Sequence, residues 1–168
     1  MFPKNFKKIG YLTKPHGIDG TMNMKTDGNY EDELLEREFL FLSVDGTMIP
    51  FSVSEVWVSG EHARVKFTEV STENDIRLVK GKQVYIPSIQ KNSFADPESL
   101  EGFEFFDETS GKEGVIKEFE ETELNPMLVV ESEGKEYLLP FNEDFIIGFD
   151  PKARSLRFSL PDGIFDLD

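Results

Sequence analysis

Apolar residues along this chain come in short runs rich in Val, Ile, Phe and Tyr, separated by clusters of Gly, Pro, Asn, Asp and Ser. In runs such as Thr21 to Thr26 and Ala63 to Phe67 apolar and polar positions alternate, the period of two that puts successive side chains on opposite faces of a strand. The pattern predicts strands over Lys8 to Leu12, Thr21 to Thr26, Phe39 to Val44, Met48 to Val58 and Ala63 to Phe67. Asp45-Gly46 reads as a two-residue hairpin turn and Ser59-Gly60-Glu61-His62 as a longer one, so antiparallel neighbours are expected. Further on, Phe103 to Asp107, Gly114 to Phe119, Met127 to Glu131, Glu136 to Pro140, Ile146 to Phe149 and Leu156 to Leu160 repeat the pattern between Ser110-Gly111, Glu133-Gly134 and Asp150-Pro151.

One stretch departs from it. Ser71 to Gly81 offers hydroxyls for an N-cap, acids in the first turn, a Lys in the last and a closing Gly, which predicts a short helix. A second helix over Asp32 to Arg37 rests on propensity alone. From Pro87 to Gly102 the periodicity lapses among Pro, Ser, Asn and Asp, as in a linker. The organisation expected is all-β: a small barrel over residues 1–88, a linker over 89–102 and a second small barrel over 103–168.

Composition narrows the class of function. The 168 residues carry 18 Lys+Arg against 33 Asp+Glu, a net charge of −15 that opposes non-specific attraction to a polyanion. The charge is unevenly divided: residues 1–90 hold 11 basic and 13 acidic side chains, net −2, and residues 91–168 hold 7 and 20, net −13. Within the first half, Lys4, Lys7, Lys8, Lys14 and Lys25 face Asp19 alone over positions 1–26. The C-terminal half should therefore prefer a basic protein and the N-terminal stretch could meet phosphate. Cysteine is absent, which removes disulfides, thiolate nucleophiles and zinc-thiolate sites. No apolar run of signal-peptide or membrane-spanning length is present, so a cytoplasmic protein is expected.

Candidate chemistry is sparse. His16-Gly17-Ile18-Asp19-Gly20 is the most distinctive string. It reads either as a tight turn that needs two glycines or as a hydrolase or isomerase site with His16 as base and Asp19 as its orienting acid, and the turn requires less. His62 falls in a hairpin loop, and two His without Cys predict no metal. Phosphate-cradling glycine motifs are missing, and pairs such as Glu120-Glu121 follow from an acid-rich composition. No catalytic residue and no cofactor is expected. Ten of the 16 Phe lie beyond residue 90, more than a small barrel should bury. Strand alternation puts Phe106 with Glu104 on an outer face, and Phe94 sits in the linker, so both are candidates for a protein-binding patch.

Ile9-Gly10-Tyr11-Leu12 running into His16-Gly17-Ile18-Asp19-Gly20-Thr21 resembles the opening signature of the RimM family of ribosome maturation factors. Leu78-Val79-Lys80-Gly81-Lys82 with Val84-Tyr85-Ile86 is similar to the end of that family's first barrel. Leu100 to Asp107, Leu138-Leu139-Pro140-Phe141 and Leu160 to Leu167 resemble its second. The resemblance implies an N-terminal translation-factor-like barrel, a C-terminal PRC-type barrel and a cytoplasmic monomer that catalyses no reaction. It implies assistance to maturation of the 30S head through a small-subunit head protein of the S nineteen family, the pre-30S particle and the 3′ region of 16S rRNA. On this reading Phe94, Phe106, Phe141, Glu143 and Asp144 are the expected protein-binding residues, and Lys8, Lys14, His16 and Lys25 the expected RNA-binding ones. A third reading, a PRC-type adaptor of a membrane complex, is not required by the basic N-terminus.

Overall fold

The computed structural model describes residues 5–89, 97–122 and 125–166. They form two compact units, divided between Ile86 and Pro87. In the first unit the strands are β1 (Phe6–Pro15), β2 (Met22–Thr26), β3 (Phe39–Val44), β4 (Thr47–Ser59), β5 (His62–Phe67) and β6 (Gln83–Pro87). They close into a barrel in the order β1-β2-β5-β4-β3-β6. Closure leaves no free edge and forces each strand to send alternate side chains inward. Ile9, Leu12, Met22, Met24, Leu40, Leu42, Ala63, Val65 and Phe67 are the inward set, each at most 2% exposed.

Local chemistry fixes the connections. Asp45 and Gly46 both have positive φ, at 50° and 81°, which gives the mirror-image turn that suits the strand twist between β3 and β4. The β4–β5 turn is shorter than the sequence suggests, because Ser59 pairs directly with His62 and only Gly60 and Glu61 lie between them. Helix α1 (Glu31–Glu36) has no side-chain cap, whereas α2 (Glu73–Val79) starts from a capping box. In that box the Asp75 N–H donates to Thr72 Oγ1 at 3.1 Å and the Thr72 N–H donates to Asp75 Oδ2 at 2.9 Å. These bonds hold the Asp75 carboxyl below its ordinary pKa, with the Thr72 backbone N–H as the main cause. Leu34 from α1 and Val79 from α2 are fully buried in the barrel's core cluster.

The second unit contains β7 (Glu104–Asp107), β8 (Glu113–Glu121), β9 (Pro126–Ser132), β10 (Lys135–Pro140), β11 (Ile146–Asp150) and β12 (Ser155–Phe158) in the sheet order β10-β9-β8-β7-β12-β11. All its pairs are antiparallel except β7 with β12, which run parallel. β12 returns along the edge of β7 that the β8–β9–β10 meander leaves free. Ordered structure also reaches into the expected linker: Pro97–Leu100 is a 3₁₀ turn, Leu100 is fully buried, and the Gly102 N–H donates to Ile116 O at 2.8 Å.

The phenylalanines that sequence composition leaves in surplus are covered in the fold. Phe103, Phe105, Phe145, Phe158 and Phe165 are buried, and Phe106, Phe119, Phe141 and Phe149 are half-buried, so none described in this unit is open to solvent. The rings cover one another: Phe103 stacks on Phe149 at 5.9 Å between centroids, Phe119 meets Phe141 edge-on at 5.8 Å, and Phe105 contacts both Phe158 and Phe165.

Asp107 explains how β7 ends without exposing its backbone. Its carboxylate is fully buried and accepts four hydrogen bonds. Oδ1 takes the N–H groups of Leu160 at 2.9 Å and Thr109 at 3.3 Å, and Oδ2 takes the Ser110 N–H at 3.1 Å and the Ser110 hydroxyl at 2.6 Å. One side chain thus ties the β7–β8 turn to the segment after β12. Removing it strands the buried Leu160 N–H, so Asp107→Ala should lower stability by about 3 kcal/mol or more, against about 1 kcal/mol for Ser110→Ala. Urea unfolding of the full chain measures both, and equal midpoints for Asp107→Ala and the parent would contradict this account of the turn.

Candidate nucleic-acid and protein interfaces

The inward set of the barrel determines what its outer wall carries. With Leu12, Met24, Ala63 and Val65 inside, the intervening residues of β1, β2, β5 and the second half of β4 point outward in register. Tyr11 pairs with Lys25, Lys25 with His62 and His62 with Ser59, which makes one row across four strands. The next row joins Asn23 to Arg64 and Arg64 to Trp57. Trp57 is 51% exposed, and the Arg64 guanidinium carbon lies 4.8 Å from its ring centroid. Lys8 Nζ sits 6.0 Å from the Tyr11 ring and 3.5 Å from Asp27. A third row pairs Lys66 with Glu55, and Lys66 also faces Asp19 at 3.6 Å.

At the end of this wall the β1–β2 loop is rigidly built. His16 N–H donates to Thr21 O at 2.7 Å, and Thr21 N–H donates to Asp19 Oδ1 at 3.1 Å. The bond from the Thr21 backbone, with Lys66 behind it, holds the Asp19 carboxyl below its ordinary pKa. Gly20 has φ +94°, and a Cβ there would stand 2.2 Å from the Val70 carbonyl oxygen. Its tip presents Ile18, 97% exposed, beside a groove of about 440 Å³ bordered by Pro15, Ile76, Arg77 and Lys80.

The four expected RNA-binding residues are therefore split. Lys8 and Lys25 flank Tyr11 on the wall, and Lys14 and His16 are exposed at the loop end. His16 has no side-chain bond to Asp19, whose carboxylate is committed to Thr21 and Lys66, so the pair that the hydrolase or isomerase reading needs does not form. Sequence reasoning passed over Trp57 and Arg64. The available signal was the alternation Glu55, Trp57, Ser59, but the pairing of Trp57 with Arg64 is a matter of strand register.

In the second unit the outer side of β7 opens into a depression of about 290 Å³. Phe106 supplies its outward apolar surface, above the inward row of Phe105, Leu156 and Phe149, and the exposed Glu104, Glu113 and Asp150 supply carboxylates beside Arg157. Phe106 lines this depression from the outward side of β7, and it is not bare: the Arg157 guanidinium carbon lies 4.8 Å from its centroid, and Arg157 is held by Glu108 at 3.1 Å. The other expected protein-binding residues are elsewhere. Phe141 packs on Phe119, and Glu143 is half-buried in a 3₁₀ turn. Asp144 is the exception: it is 1% exposed in the 3₁₀ turn that Asn142 Oδ1 caps at its N–H, 2.8 Å away, and so presents no carboxylate to a partner. Phe94 lies outside the described residues. The unit's cations are largely turned to its own groups, with Lys112 on Glu133, Lys117 on Glu131 and Arg154 on the Glu101 carbonyl, which leaves an acid-dominated surface.

No helix among the described residues is long and apolar enough to cross a membrane. Residues 7–91 match the RimM N-terminal domain, and residues 97–164 match the RimM PRC barrel domain. The chain is 32% identical to the ribosome maturation factor RimM of Parabacteroides distasonis over 166 residues, covering 95% of each protein. It is 30% identical to that of Phocaeicola vulgatus over 94% of this chain and 95% of the relative. A crystal structure of a 16S ribosomal RNA processing protein RimM from Pseudomonas aeruginosa covers 93% of this chain and 98% of its own, with 23% identity and a TM-score of 0.45.

The loop supplies a test of its own construction. Any side chain at Gly17 or Gly20 meets a left-handed backbone, a cost of about 1–2 kcal/mol, but only Gly20 adds a collision with a carbonyl. Gly20→Val should destabilise at least twice as much as Gly17→Val in urea unfolding. Equal losses would mean that the contact with Val70 does not hold the loop.

Proposed function

This chain belongs to the RimM family of ribosome maturation factors, and from that premise we propose that it is a non-catalytic assembly factor acting in the cytoplasm. Its second unit binds a basic head protein of the S nineteen family, and its first unit contacts 16S rRNA in the pre-30S particle. The chain works as a monomer that favours one arrangement of the nascent head and departs when mature neighbours displace it. Its two units act as separate domains joined within residues 87–102.

The observation that carries this reading is the acid-rimmed depression on β7. An aliphatic stem can lie beside Phe106 while its terminal cation meets Glu104, Glu113 and Asp150, so the chemistry fits an Arg or Lys side chain. Arg157 already lies over one face of Phe106 and is held by Glu108, so the carboxylates beside it are what an incoming cation meets. A phosphate backbone would be repelled from the same place. Of the residues read from sequence, Phe106 remains part of the proposal, and Phe141, Glu143 and Asp144 lie away from the depression.

Surface plasmon resonance of the full chain on immobilised S nineteen tests it. Glu104→Lys with Glu113→Lys should lower the association rate about tenfold at low salt and much less at high salt, because steering between charges is screened. Unchanged kinetics in the double variant, or binding to protein-free rRNA with no affinity for the head protein, would contradict the proposal.

A further inference from the structure

The outer wall of the barrel has a feature that phosphate contact alone does not use. Trp57 is the only tryptophan of the chain and is half open to solvent. It is seated on Arg64 at the end of the row, on the stretch of β4 beyond Ser52 that pairs with β5. The next row brings Tyr11, another aromatic, beside Lys25 and Lys8. We propose that the outward row Asn23–Arg64–Trp57, with Lys25 and Tyr11 beside it, is a stacking platform for unpaired bases of single-stranded RNA. This rests on the reading of the first unit as the RNA-contacting one and specifies what it takes.

Magnitudes favour stacking as the main source of affinity. Lys8 and Lys66 are already turned to Asp27 and Asp19, and Glu55 lies opposite Lys66, whereas Lys25 and Arg64 have no salt-bridge partner among the described residues. About two phosphates can thus be neutralised, which predicts a salt slope for a single strand of only about −1.4 in log K against log[salt]. In a chain of net charge −15 that attraction is weak. A base stacked on an exposed aromatic ring adds about 5- to 100-fold per base, independent of salt. The guanidinium beneath the indole holds the ring in place and puts positive charge next to the phosphate that follows a stacked base. Duplex RNA offers no such base, because its faces are already stacked and its deep groove is closed to side chains.

The same residue provides the readout, since indole emission comes from Trp57 alone. The full chain is titrated with an unstructured 12-nucleotide RNA, a 12-base-pair RNA duplex and a 12-residue polyglutamate, following Trp fluorescence and the anisotropy of labelled probes. The single strand should bind with quenching of the indole and the shallow salt slope above. Trp57→Ala should weaken it about 5- to 100-fold by anisotropy, Trp57→Phe should restore most of the affinity, and the duplex should bind less well. Single-strand binding with unchanged emission and no loss in Trp57→Ala would overturn the platform while leaving RNA contact by this unit intact. Duplex binding as tight as that of the single strand would overturn the preference for unpaired bases. Equal binding of polyglutamate would assign the face to an acidic protein segment instead. Failure of the full chain to bind either RNA would overturn the platform and the RNA-contacting role together.

Discussion

Closure of the first barrel is the constraint on which the rest depends. A strand bonded on both edges cannot shift by one residue without moving its whole apolar set to the solvent side. Burial of Leu12, Met24, Ala63 and Val65 therefore dictates that Tyr11, Lys25, His62 and Arg64 emerge on the other face, in fixed rows. The outer wall is a consequence of the core. Gly20 extends the same logic to the loop, where contact with Val70 too close for any side chain sets the position of Ile18.

The second unit is organised around polar as well as apolar burial. Asp107 satisfies four donors from three residues in a place where no water need enter, and it joins two segments more than fifty positions apart. Ring-on-ring packing absorbs phenylalanines that a small core would otherwise leave exposed. What remains outside is acidic, and the carboxylates around the β7 depression stand over aromatic surface, the combination that suits a long basic side chain. The two units thus present opposite chemistry, and the proposed division of partners follows from that difference.

Strands and turns were legible because their signals are local. Phe39 to Val44 and the Asp45-Gly46 turn appear as read, and the hydroxyl and acid at Thr72 and Asp75 make the cap that their spacing announces. Features set by distant pairing were not legible. Nothing near Asp107 distinguishes it from the many solvated acids of its half, and Asp144 looked like a surface charge because its neighbour Glu143 does. The parallel pairing of β7 with β12 and the seating of Trp57 on Arg64 both depend on register between segments, which periodicity within one segment does not encode. Sequence marks the RNA-facing wall only by its cations near the N-terminus, and the aromatic half of that wall is set by strand register.

The central claim is that the two units meet different classes of partner, RNA for the first and protein for the second. Ultraviolet cross-linking of the full chain bound to pre-30S particles, with peptide mapping of nucleotide adducts and of protein–protein cross-links, tests it most directly. The account predicts nucleotide adducts on β1, β2, β4 and β5, centred on Tyr11 and Trp57, and protein cross-links around Glu104, Glu113 and Asp150. Nucleotide adducts concentrated within residues 97–166, with protein cross-links on the outer wall of the first barrel, would contradict it.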